Sequence, residues 1–539
     1  MYNEIVNIES TVDRVFSHTV ERRGDNIFIK DIDSNVEITW NQSRDMIDKL
    51  SKGFIKRGIK KGDHVMIWLP NSYKWVLFYL ALARLGAVGV LVNTANKELE
   101  MDYLIKDSDC KFIIMCEEIK SINCKGIIKN LIPNAFQNED NIIESSNYPN
   151  LKQIIFDYEL ESIIEDSVDI DDKTLKDMYN SVKSTDIVNI LYTSGTTGDP
   201  KGVMVNQRSI FYSIIGAIEG MGLNEEDTVG TSLPMFHNFG LYGLVVYPLI
   251  VGAKSVIMDG FSPSKFLKAV EAEKVALSMG VPTMYIAMMH YENLDNYNLS
   301  NHKKCLLGGA VCPPALVEGL SKDFKVEKVF VLYGLTESPS VTTTSLSDPY
   351  EKLTHSIGRP SRIYDVKIVD PETKEELPCN TVGEISVKGL GNMDGYYNKE
   401  EETKRCLNEE GWFYTGDLAS MDEEGYLYIC GRKKDMIKRG GEGIHPKEIE
   451  SVLLKHEAIK DVQVVGVPSE KYGEEVMAYV ILKNGYQLSE EDVKEYVKQR
   501  LAIYKTPRYV KFIEDFPCTI TGKPQKFKLK EMAIEEFNL

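Results

Sequence analysis

Two periods of hydrophobic and polar positions alternate along the first part of the chain, from Ile38 to Ile114. Stretches with apolar residues every three or four positions predict helices, and short runs of apolar and β-branched residues predict buried strands. Helices are predicted at Gln42–Ile59, Asn71–Leu85 and Glu98–Asp107, and strands at His64–Leu69, Val88–Val92 and Lys111–Met115. Strands that alternate with helices indicate an α/β fold with layered, mostly parallel sheets.

The same alternation returns between residues 204 and 330, after a less regular stretch. Lys254–Met258 predicts a strand, and Ser262–Glu273 predicts a helix whose Ser-Pro-Ser start is typical of a helix N-terminus. Residues 117–150 are rich in Asn, Glu and Ser, and we interpret them as a surface excursion of no evident function.

The organisation of the chain changes near residue 430. The charged run Gly431–Asp435 forms a connector, and a compact pattern of short helices and strands follows it. The predicted elements are a strand at Tyr426–Cys430, a helix at Pro446–Leu454, strands at Val462–Val467 and Glu475–Leu482, and a helix at Ser489–Leu501. We therefore predict a large N-terminal domain over residues 1–432 and a small α+β domain over residues 433–539.

Length and charge narrow the class of protein. With 539 residues the chain is too long for one hydrophobic core, which agrees with two domains. Hydrophobic residues make up 43% and charged residues 27%, as is ordinary for a globular enzyme. The net charge of −18 argues against a nucleic acid or an acidic membrane as the main partner, because like charges repel.

Cysteine usage and the N-terminal sequence predict a cytoplasmic protein. The nine cysteines are odd in number and contain no Cys-x-x-Cys pair, so we expect free thiols and no zinc site. The first ten residues lack the basic start and apolar core of a signal peptide. The apolar stretch Trp75–Ala87 is interrupted by Arg84 and is too short for a transmembrane segment.

The stretch Leu191–Val203 is the strongest candidate for a functional site. It follows the predicted strand Ile187–Tyr192, and its small, hydroxylated and glycine residues expose backbone N–H groups that suit phosphate oxygens. Lys201 adds a mobile positive charge on the same anion. A flexible surface turn is the simpler alternative. A Walker-type loop is excluded because Lys201 is followed by Gly202, where that loop needs Ser or Thr.

This loop closely resembles the phosphate-binding signature of the adenylate-forming superfamily, which contains acyl- and aryl-CoA synthetases, adenylation domains and beetle luciferases. Further motifs resemble this family in the same order along the chain. They are Leu233–Gly240, Leu307–Ala310, Tyr333–Glu337, Trp412–Asp417, Lys438–Glu442 and Pro517–Lys526. The resemblance runs from about Ile38 to Lys526, and it implies a large N-terminal domain with a small, mobile C-terminal domain.

The resemblance implies a role for individual residues. Nucleotide and cofactor contacts fall on Thr193, Ser194, Gly195, Thr196, Thr197, Gly198, Lys201, Gly309, Ala310, Tyr333, Gly334, Thr336, Asp417, Arg432, Lys438 and Gly441. The catalytic residues are Lys523, Thr336 and His237, and Glu337 holds Mg²⁺. The substrate pocket contains Phe236, His237, Asn238 and Gly308, and Lys434 is the hinge. Gly443 departs from the family, which usually has Asn there.

The acid that the protein activates stays open at this point. Amino-acid-activating relatives carry an Asp in the segment that corresponds to Leu233–Gly240, and this chain has none, so a non-amino carboxylic acid is favoured. Phe236 and Val281–Tyr285 resemble the fatty-acyl branch. Asn238 after His237 resembles the aryl-acid branch, although a local turn role is equally compatible.

The implied activity is an ATP-dependent acid–thiol ligase. ATP, Mg²⁺ and coenzyme A are the implied cofactors, and the carboxylic acid is first activated as acyl-AMP with release of pyrophosphate. Because no carrier domain precedes Leu539, we expect an acceptor in trans, either coenzyme A or the phosphopantetheine of a separate carrier protein. A luciferase-like oxygenase and a non-catalytic nucleotide-binding paralogue are the remaining alternatives.

Overall fold

The structure is a computed structural model, and it describes residues 2, 4–137, 140–193, 200–310, 312–439, 442–518 and 524–537. The chain forms two compact units. The first consists of Met1–Asp365 and Val387–Phe413, and the second consists of Val366–Ser386 and Tyr414–Leu539. The predicted boundary at residues 432 and 433 concerns the pivot between the domains and stays a prediction.

The strands, numbered along the chain, are β1 (Ile27–Asp31), β2 (Val36–Thr39), β3 (His64–Trp68), β4 (Val88–Leu91), β5 (Phe112–Met115), β6 (Glu118–Ile119), β7 (Ile122–Asn123), β8 (Gln153–Phe156), β9 (Ile187–Thr193), β10 (Lys201–Asn206), β11 (Thr228–Thr231), β12 (Lys254–Ile257), β13 (Leu277–Gly280), β14 (Lys304–Leu307), β15 (Lys328–Tyr333), β16 (Thr342–Thr343), β17 (Arg359–Pro360), β18 (Tyr364–Val369), β19 (Gly383–Gly389), β20 (Gly395–Tyr396), β21 (Phe413–Met421), β22 (Leu427–Arg432), β23 (Ile437–Arg439), β24 (Glu442–Ile444), β25 (Ile459–Ser469), β26 (Gly473–Leu482) and β27 (Tyr509–Phe512).

The α-helices are α1 (Val12–Arg23), α2 (Trp40–Lys56), α3 (Tyr73–Leu85), α4 (Glu98–Asp107), α5 (Cys124–Leu131), α6 (Leu160–Glu165), α7 (Asp172–Ser181), α8 (Ser209–Met221), α9 (Asn238–Leu241), α10 (Tyr247–Val251), α11 (Pro263–Ala272), α12 (Pro282–Met289), α13 (Pro314–Asp323), α14 (Tyr350–His355), α15 (Glu400–Cys406), α16 (Pro446–Leu453), α17 (Glu490–Lys498) and α18 (Lys526–Phe537). None of these described helices combines the length and the apolar composition that a membrane crossing needs.

Two large sheets organise the first unit within the described residues. One has the strand order β20-β10-β9-β4-β3-β5-β8, and the other has the order β17-β16-β15-β14-β13-β11-β12-β1-β2. Their central strands run parallel, and antiparallel pairs lie at the edges. Parallel strands are buried on both faces, which explains why they read as short, continuous apolar runs. The predicted α/β fold class with mostly parallel sheets is confirmed.

The second unit contains two smaller sheets. Strands β18, β19, β21 and β22 form one, and β24, β23, β26 and β25 form the other, with β27 added parallel to β26. Helix α17 begins with the predicted capping box, in which the Asp492 N–H donates to Ser489 Oγ and the Ser489 N–H donates to the Asp492 carboxylate.

Residues 117–150 contribute to the core. They contain the β6–β7 hairpin and helix α5. Cys124, Ile128 and Ile143 are buried in one hydrophobic cluster with side chains from β3, β5 and β8. The interpretation as a surface excursion is therefore wrong for these apolar side chains. The Asn-, Glu- and Ser-rich sequence around α5 obscured the helical spacing of Cys124 and Ile128.

A polar cluster is buried in the first unit and includes Tyr285, the last residue of the predicted substrate segment Val281–Tyr285. Ser278 Oγ lies 2.7 Å from His302 Nε2 and 2.8 Å from the Tyr285 hydroxyl, and Cys305 Sγ lies 3.5 Å from the same imidazole nitrogen. Burial lowers the pKa of His302 to about 4, so its imidazole is neutral in the folded protein at pH 7.

Candidate active site

The predicted phosphate-binding loop lies between two antiparallel strands. Strand β9 confirms the prediction at Ile187–Tyr192, and its last residue, Thr193, lies opposite Lys201, the first residue of β10. Five predicted contact residues of the loop lie outside the described residues: Ser194, Gly195, Thr196, Thr197 and Gly198. The two strands therefore bring the loop's ends together and fix where Lys201 leaves the sheet.

Lys201 is held by two neighbours from a later part of the chain. Its ammonium forms an ion pair with the Glu402 carboxylate and lies 5.2 Å from the centre of the Tyr396 ring. The Lys201 side chain is 19% exposed and that of Glu402 is 31% exposed. The hydrogen bond from Lys201 lowers the pKa of Glu402. The ion pair and the aromatic ring together orient the lysine side chain.

Glu337, the predicted Mg²⁺ ligand, shares a neighbour with Lys201. The Tyr396 hydroxyl donates to Glu337 Oε1 over 2.7 Å. Burial, followed by the charge of Glu337, raises the pKa of Tyr396, so its phenol stays protonated. Tyr396 belongs to β20 and pairs with Val203 of β10, which places it directly beside the loop strand.

The motif Tyr333–Glu337 begins where β15 ends. Tyr333 pairs with Thr342 of β16, and a tight turn follows in which the Leu335 N–H donates to the Ser338 carbonyl. A Cβ on Gly334 would lie 2.5 Å from the Ser340 backbone nitrogen, so only glycine fits there. This turn sets Thr336 and Glu337 beyond the carboxyl end of a parallel strand, where α/β sheets bind ligands.

The segment that carries Phe236 and His237 is fixed by a buried amide. The Asn71 side chain donates to the carbonyls of Leu233 and Met258 and accepts from the Met235 N–H, at 2.8, 3.1 and 2.8 Å. Its residue is 7% exposed. These three hydrogen bonds reach residues 162 to 187 positions further along the chain, so Asn71 acts as a structural anchor for this segment.

His237 and Asn238 begin helix α9. His237 Nδ1 accepts from the Phe239 N–H at 3.3 Å, and Asn238 Nδ2 donates to the Leu335 carbonyl at 3.1 Å. Asn238 therefore links the candidate pocket to the motif that carries Thr336. A Cβ on Gly308 would lie 3.1 Å from Phe239 Cζ, which places Gly308 against the same aromatic side chain.

Two more residues of the predicted nucleotide site follow Gly308. Gly309 has a φ of +75° and Ala310 is exposed. The positive φ lets the chain turn outward after β14 and leave its backbone accessible. In the first unit, the structure thus places each predicted residue outside the loop at the end of a strand or at the start of a helix.

The second unit carries the predicted ribose contacts. Asp417 on β21 and Arg432 on β22 are register partners, and Arg432 Nε lies 2.9 Å from Asp417 Oδ1. The Asp417 side chain is 7% exposed, and its backbone N–H donates to Thr415 Oγ1 at 3.1 Å. The ion pair holds the Asp417 carboxylate in one orientation, as recognition of a diol requires.

The remaining predicted residues of this unit lie within the connector Gly431–Asp435 or after it. Lys434 lies in the 3₁₀ turn Lys433–Asp435, and loss of hydration together with the charge of Arg432 lowers its pKa. Lys438 is exposed on β23, where its backbone N–H donates to Glu474. Gly441 and Lys523 lie outside the described residues.

A buried ion pair holds Lys526, the last residue of the motif Pro517–Lys526 that also carries Lys523. Glu450 Oε1 accepts from Lys526 Nζ at 2.7 Å and from the Val464 N–H at 2.9 Å, and Lys447 Nζ lies 3.2 Å from Oε2. The surrounding positive charges and hydrogen bonds outweigh burial and lower the pKa of Glu450.

Family models match both parts of the chain. The AMP-binding enzyme model covers residues 16–397, and the AMP-binding enzyme C-terminal domain model covers residues 448–523. The chain belongs to the AMP-binding enzyme family. This assignment covers the loop, the Tyr333–Glu337 motif and the segment that ends at Lys523.

Relatives of this family match over nearly the full length. YngI of Bacillus subtilis (strain 168), an acyl-CoA synthetase by name, is 38% identical over 99% of this chain and 98% of its own. The mitochondrial medium-chain acyl-CoA ligase ACSF2 of Danio rerio is 33% identical over 98% of this chain and 89% of its own length. These similarities and the family assignment identify an ATP-using acyl-CoA synthetase that works through an acyl-adenylate.

Solved structures agree with this assignment. ATP-bound MatB from Rhodopseudomonas palustris has a TM-score of 0.82 and 25% identity, covering 98% of this chain and all of that one. A Mycobacterium tuberculosis fatty acyl CoA synthetase has a TM-score of 0.73 and 26% identity, with 99% and 100% covered. The predicted family, fold and enzyme class are confirmed.

The residues at the site fit a magnesium ion bound with nucleotide. Among the described residues, no three His, Cys, Asp or Glu side chains cluster as a metal site. The Tyr396 hydroxyl uses one of the lone pairs of the Glu337 carboxylate, which leaves further oxygen lone pairs for a metal. Mg²⁺ commonly uses one or two carboxylates and takes its other ligands from phosphates and water. Glu337 beside a phosphate loop suits that pattern.

Four residues near the site escaped the sequence reasoning: Asn71, Tyr396, Glu402 and Glu450. The sequence places Asn71 only at the start of the predicted helix Asn71–Leu85. Each of the four acts across a large sequence separation, and no local spacing connects it to its partner. The only sequence signal was that Tyr396 and Glu402 fall between two recognised motifs.

Proposed function

We propose that this acyl-CoA synthetase activates a fatty acid of medium chain length and transfers the acyl group to coenzyme A. The observation that carries the proposal is the makeup of the pocket segment Leu233–Gly240. It contains no charged side chain, and the Asn238 amide is bound to the Leu335 carbonyl. Phe236 and Phe239 pack against the core as partly buried aromatics, which favours an apolar acyl chain.

The relatives support the same acid class. ACSF2 is named a medium-chain acyl-CoA ligase in relatives from Danio rerio, Bos taurus and Homo sapiens. Their names also specify coenzyme A as the thiol. A carrier protein would require a docking surface in addition, and no observation on the described residues calls for one. Nine free thiols suit a reducing compartment, for which we propose the cytoplasm.

The chemistry proceeds in two steps. A carboxylate oxygen attacks the α-phosphorus of ATP, the bond from that phosphorus to the bridging oxygen breaks, and pyrophosphate leaves. The thiol sulfur then attacks the acyl carbonyl, and AMP leaves with the shared oxygen. In the first step Lys523, Thr336 and the loop that ends at Lys201 would stabilise the developing negative charge. Mg²⁺, held by Glu337, would supply further charge neutralisation on the phosphates.

The two steps would use different parts of the small domain. By resemblance, Lys523 serves the adenylation step and Gly441 leaves room for the pantetheine arm in the thiol step. We propose that the domain over residues 433–539 rotates about Lys434 between them. Asp417 would accept from the ribose hydroxyls, with Arg432 fixing its orientation.

A panel of acids tests the proposed substrate. Pyrophosphate release with Mg-ATP would be measured for hexanoate, octanoate, decanoate, palmitate, benzoate and salicylate, each with and without coenzyme A. We expect octanoate or decanoate to give the highest kcat/KM, with repeated turnover only when coenzyme A is present. A preference for salicylate would contradict the proposed acid class, and a burst near one equivalent despite coenzyme A would indicate a carrier protein.

Asn238→Ser provides the matched control for the aryl alternative. If Asn238 acts through the Leu335 carbonyl, the substitution lowers kcat/KM for all acids by a similar factor. If it instead recognises ring substituents, the loss falls on the hydroxylated aromatic acid alone.

A further inference from the structure

Lys201 and Glu337 contact two side chains that lie outside the motifs named in the sequence analysis. Glu402 on α15 pairs with the Lys201 ammonium, and Tyr396 on β20 lies under that ammonium while its hydroxyl binds Glu337. We propose that Glu402 is a displaceable counter-ion that keeps Lys201 in place until ATP phosphates replace it, and that Tyr396 is a positioning residue for Glu337.

The burial of the pair supports displacement. The Lys201 side chain is 19% exposed, so an ammonium without a partner would lose much of its hydration. Glu402 supplies the missing charge, yet its own side chain is 31% exposed and can return to water. A polyphosphate carries more negative charge than one carboxylate and competes for the same ammonium. The carboxylate therefore holds Lys201 and yields to the nucleotide.

Tyr396 connects this lysine to the carboxylate proposed for the metal. Its ring is a fixed platform because β20 pairs with β10 through Val203, and the Asp394 and Tyr397 N–H groups donate to the Met204 and Gly202 carbonyls on either side. Its hydroxyl then limits Glu337 to orientations in which Oε1 meets the phenol. One side chain thus sets the positions of the lysine and the acidic residue.

The counter-ion role has an unusual consequence for binding. Because Glu402 competes with phosphate for Lys201, we expect Glu402→Gln to tighten ATP binding several-fold in calorimetric titrations with EDTA and without acid. A residue that only supported the fold would weaken binding or leave it unchanged. Glu401→Gln is the matched control, because Glu401 neighbours Glu402 but pairs with Lys404 at an exposed position.

A double-mutant cycle identifies Lys201 as the link. The gain from Glu402→Gln should disappear in a Lys201→Ala background, since the competition has then been removed. An equal gain in both backgrounds would assign the effect to net charge and overturn the proposal, as would unchanged or weaker binding in Glu402→Gln. If Lys201→Ala leaves ATP affinity unaltered, the inference also fails, because it rests on the proposed phosphate contact of Lys201.

Tyr396→Phe tests the second part. The ring stays over Lys201 and the hydroxyl is lost, so metal-free ATP affinity should not change, whereas the gain in affinity on adding Mg²⁺ should fall several-fold. Tyr397→Phe is the control, since the Tyr397 hydroxyl donates to Asp109 instead. An unchanged Mg²⁺ gain in Tyr396→Phe would overturn this role. All these titrations omit the acid. Their outcome therefore does not depend on whether the proposed acid class is correct.

Discussion

Two glutamate–lysine pairs in this protein illustrate different uses of the same charges. Glu402 and Lys201 in the first unit have side chains that are 31% and 19% exposed. Glu450 and Lys526 in the second unit are 3% and 20% exposed, and Glu450 also accepts from the Val464 N–H and lies close to Lys447. The Glu402 carboxylate pairs with Lys201 alone, and its side chain is partly exposed to water. The Glu450 carboxylate has three partners, and its side chain is almost fully buried.

The difference corresponds to what each lysine has to do. By the proposal above, Lys201 would release Glu402 when a nucleotide binds. Lys526 follows Lys523 by three residues and begins α18, where its ion pair with Glu450 anchors the helix start. A partly exposed ion pair can be exchanged at lower cost, but a buried one cannot lose a partner without leaving an uncompensated charge. Burial therefore separates an exchangeable contact from a structural clamp.

Removing one partner of the clamp should have the largest effect. Glu450→Ala leaves Lys526 and the Val464 N–H without their shared acceptor, and we expect a loss of about 3–5 kcal/mol in the free energy of unfolding, measured in urea. The double variant Glu450→Leu with Lys526→Met should recover most of this loss. The matched control is Glu448→Gln, whose partner Lys505 is in a more exposed pair. Equal losses at Glu448 and Glu450 would contradict the comparison.

The Glu450–Lys526 pair lies close in sequence to Lys523, the predicted catalytic lysine, which is tested separately. Lys523→Ala should slow acid-dependent pyrophosphate release by about 10²–10³-fold, as loss of one charge-stabilising group does. Thioester formation from supplied acyl-adenylate should be largely retained. Lys528→Ala is a control in the same region. Similar losses in both half-reactions would count against a small domain that presents different residues in the two steps.

His302 extends the comparison to a buried group without an opposite charge. Its pKa is lowered to about 4 in the folded protein, below the usual value of about 6.5. The unfolded chain therefore binds a proton first as pH falls, and stability that is present above pH 6.5 is lost progressively down to pH 4. The difference amounts to at most ~3 kcal/mol.

Urea unfolding between pH 7 and pH 4 measures this pH-dependent contribution of His302 to the free energy of unfolding. His302→Gln keeps a polar side chain near Ser278 without the imidazole's titration, so its stability should fall less steeply with pH than that of the wild type. His290→Gln is the control, because His290 lies at the exposed end of α12. Identical slopes for His302→Gln and wild type would refute the assignment.

The smallest expected effect belongs to the exchangeable pair. Glu402→Gln should change the free energy of unfolding by only about 0–1 kcal/mol, since part of both side chains reaches water. Thermal unfolding at low and high salt would show it. A loss as large as that of Glu450→Ala would place Glu402 among the structural clamps and contradict its release by nucleotide.

The sequence predicted the elements that depend on local patterns. Helix α4 spans the predicted Glu98–Asp107, and β26 and α17 lie within two or three residues of their predicted ends. These elements rely on periodicity and on caps such as Ser489, which are visible in a few residues. Strand β25, at Ile459–Ser469, is longer than the predicted Val462–Val467 because it pairs with β26 along its whole length.

The sequence predicted the motifs that carry the site residues, but it did not predict the contacts between distant side chains. Glu337 and Lys201 stand in recognisable segments, but Tyr396 reaches Glu337 across 59 positions and Asn71 reaches Met235 across 164. Such contacts depend on which strands become neighbours, and the strand order of the sheets cannot be read from spacing along one chain. Tertiary pairing therefore supplied the residues that the motifs lacked.

ATP and a carboxylic acid are expected to form an acyl-adenylate on this enzyme before any thiol takes part. Exchange of labelled pyrophosphate into ATP, measured with octanoate and Mg²⁺ but without coenzyme A, tests it directly. We predict exchange that depends on the acid, and octanoyl-CoA with AMP once coenzyme A is added. No exchange with any acid, or formation of ADP and phosphate in place of AMP and pyrophosphate, would contradict the account.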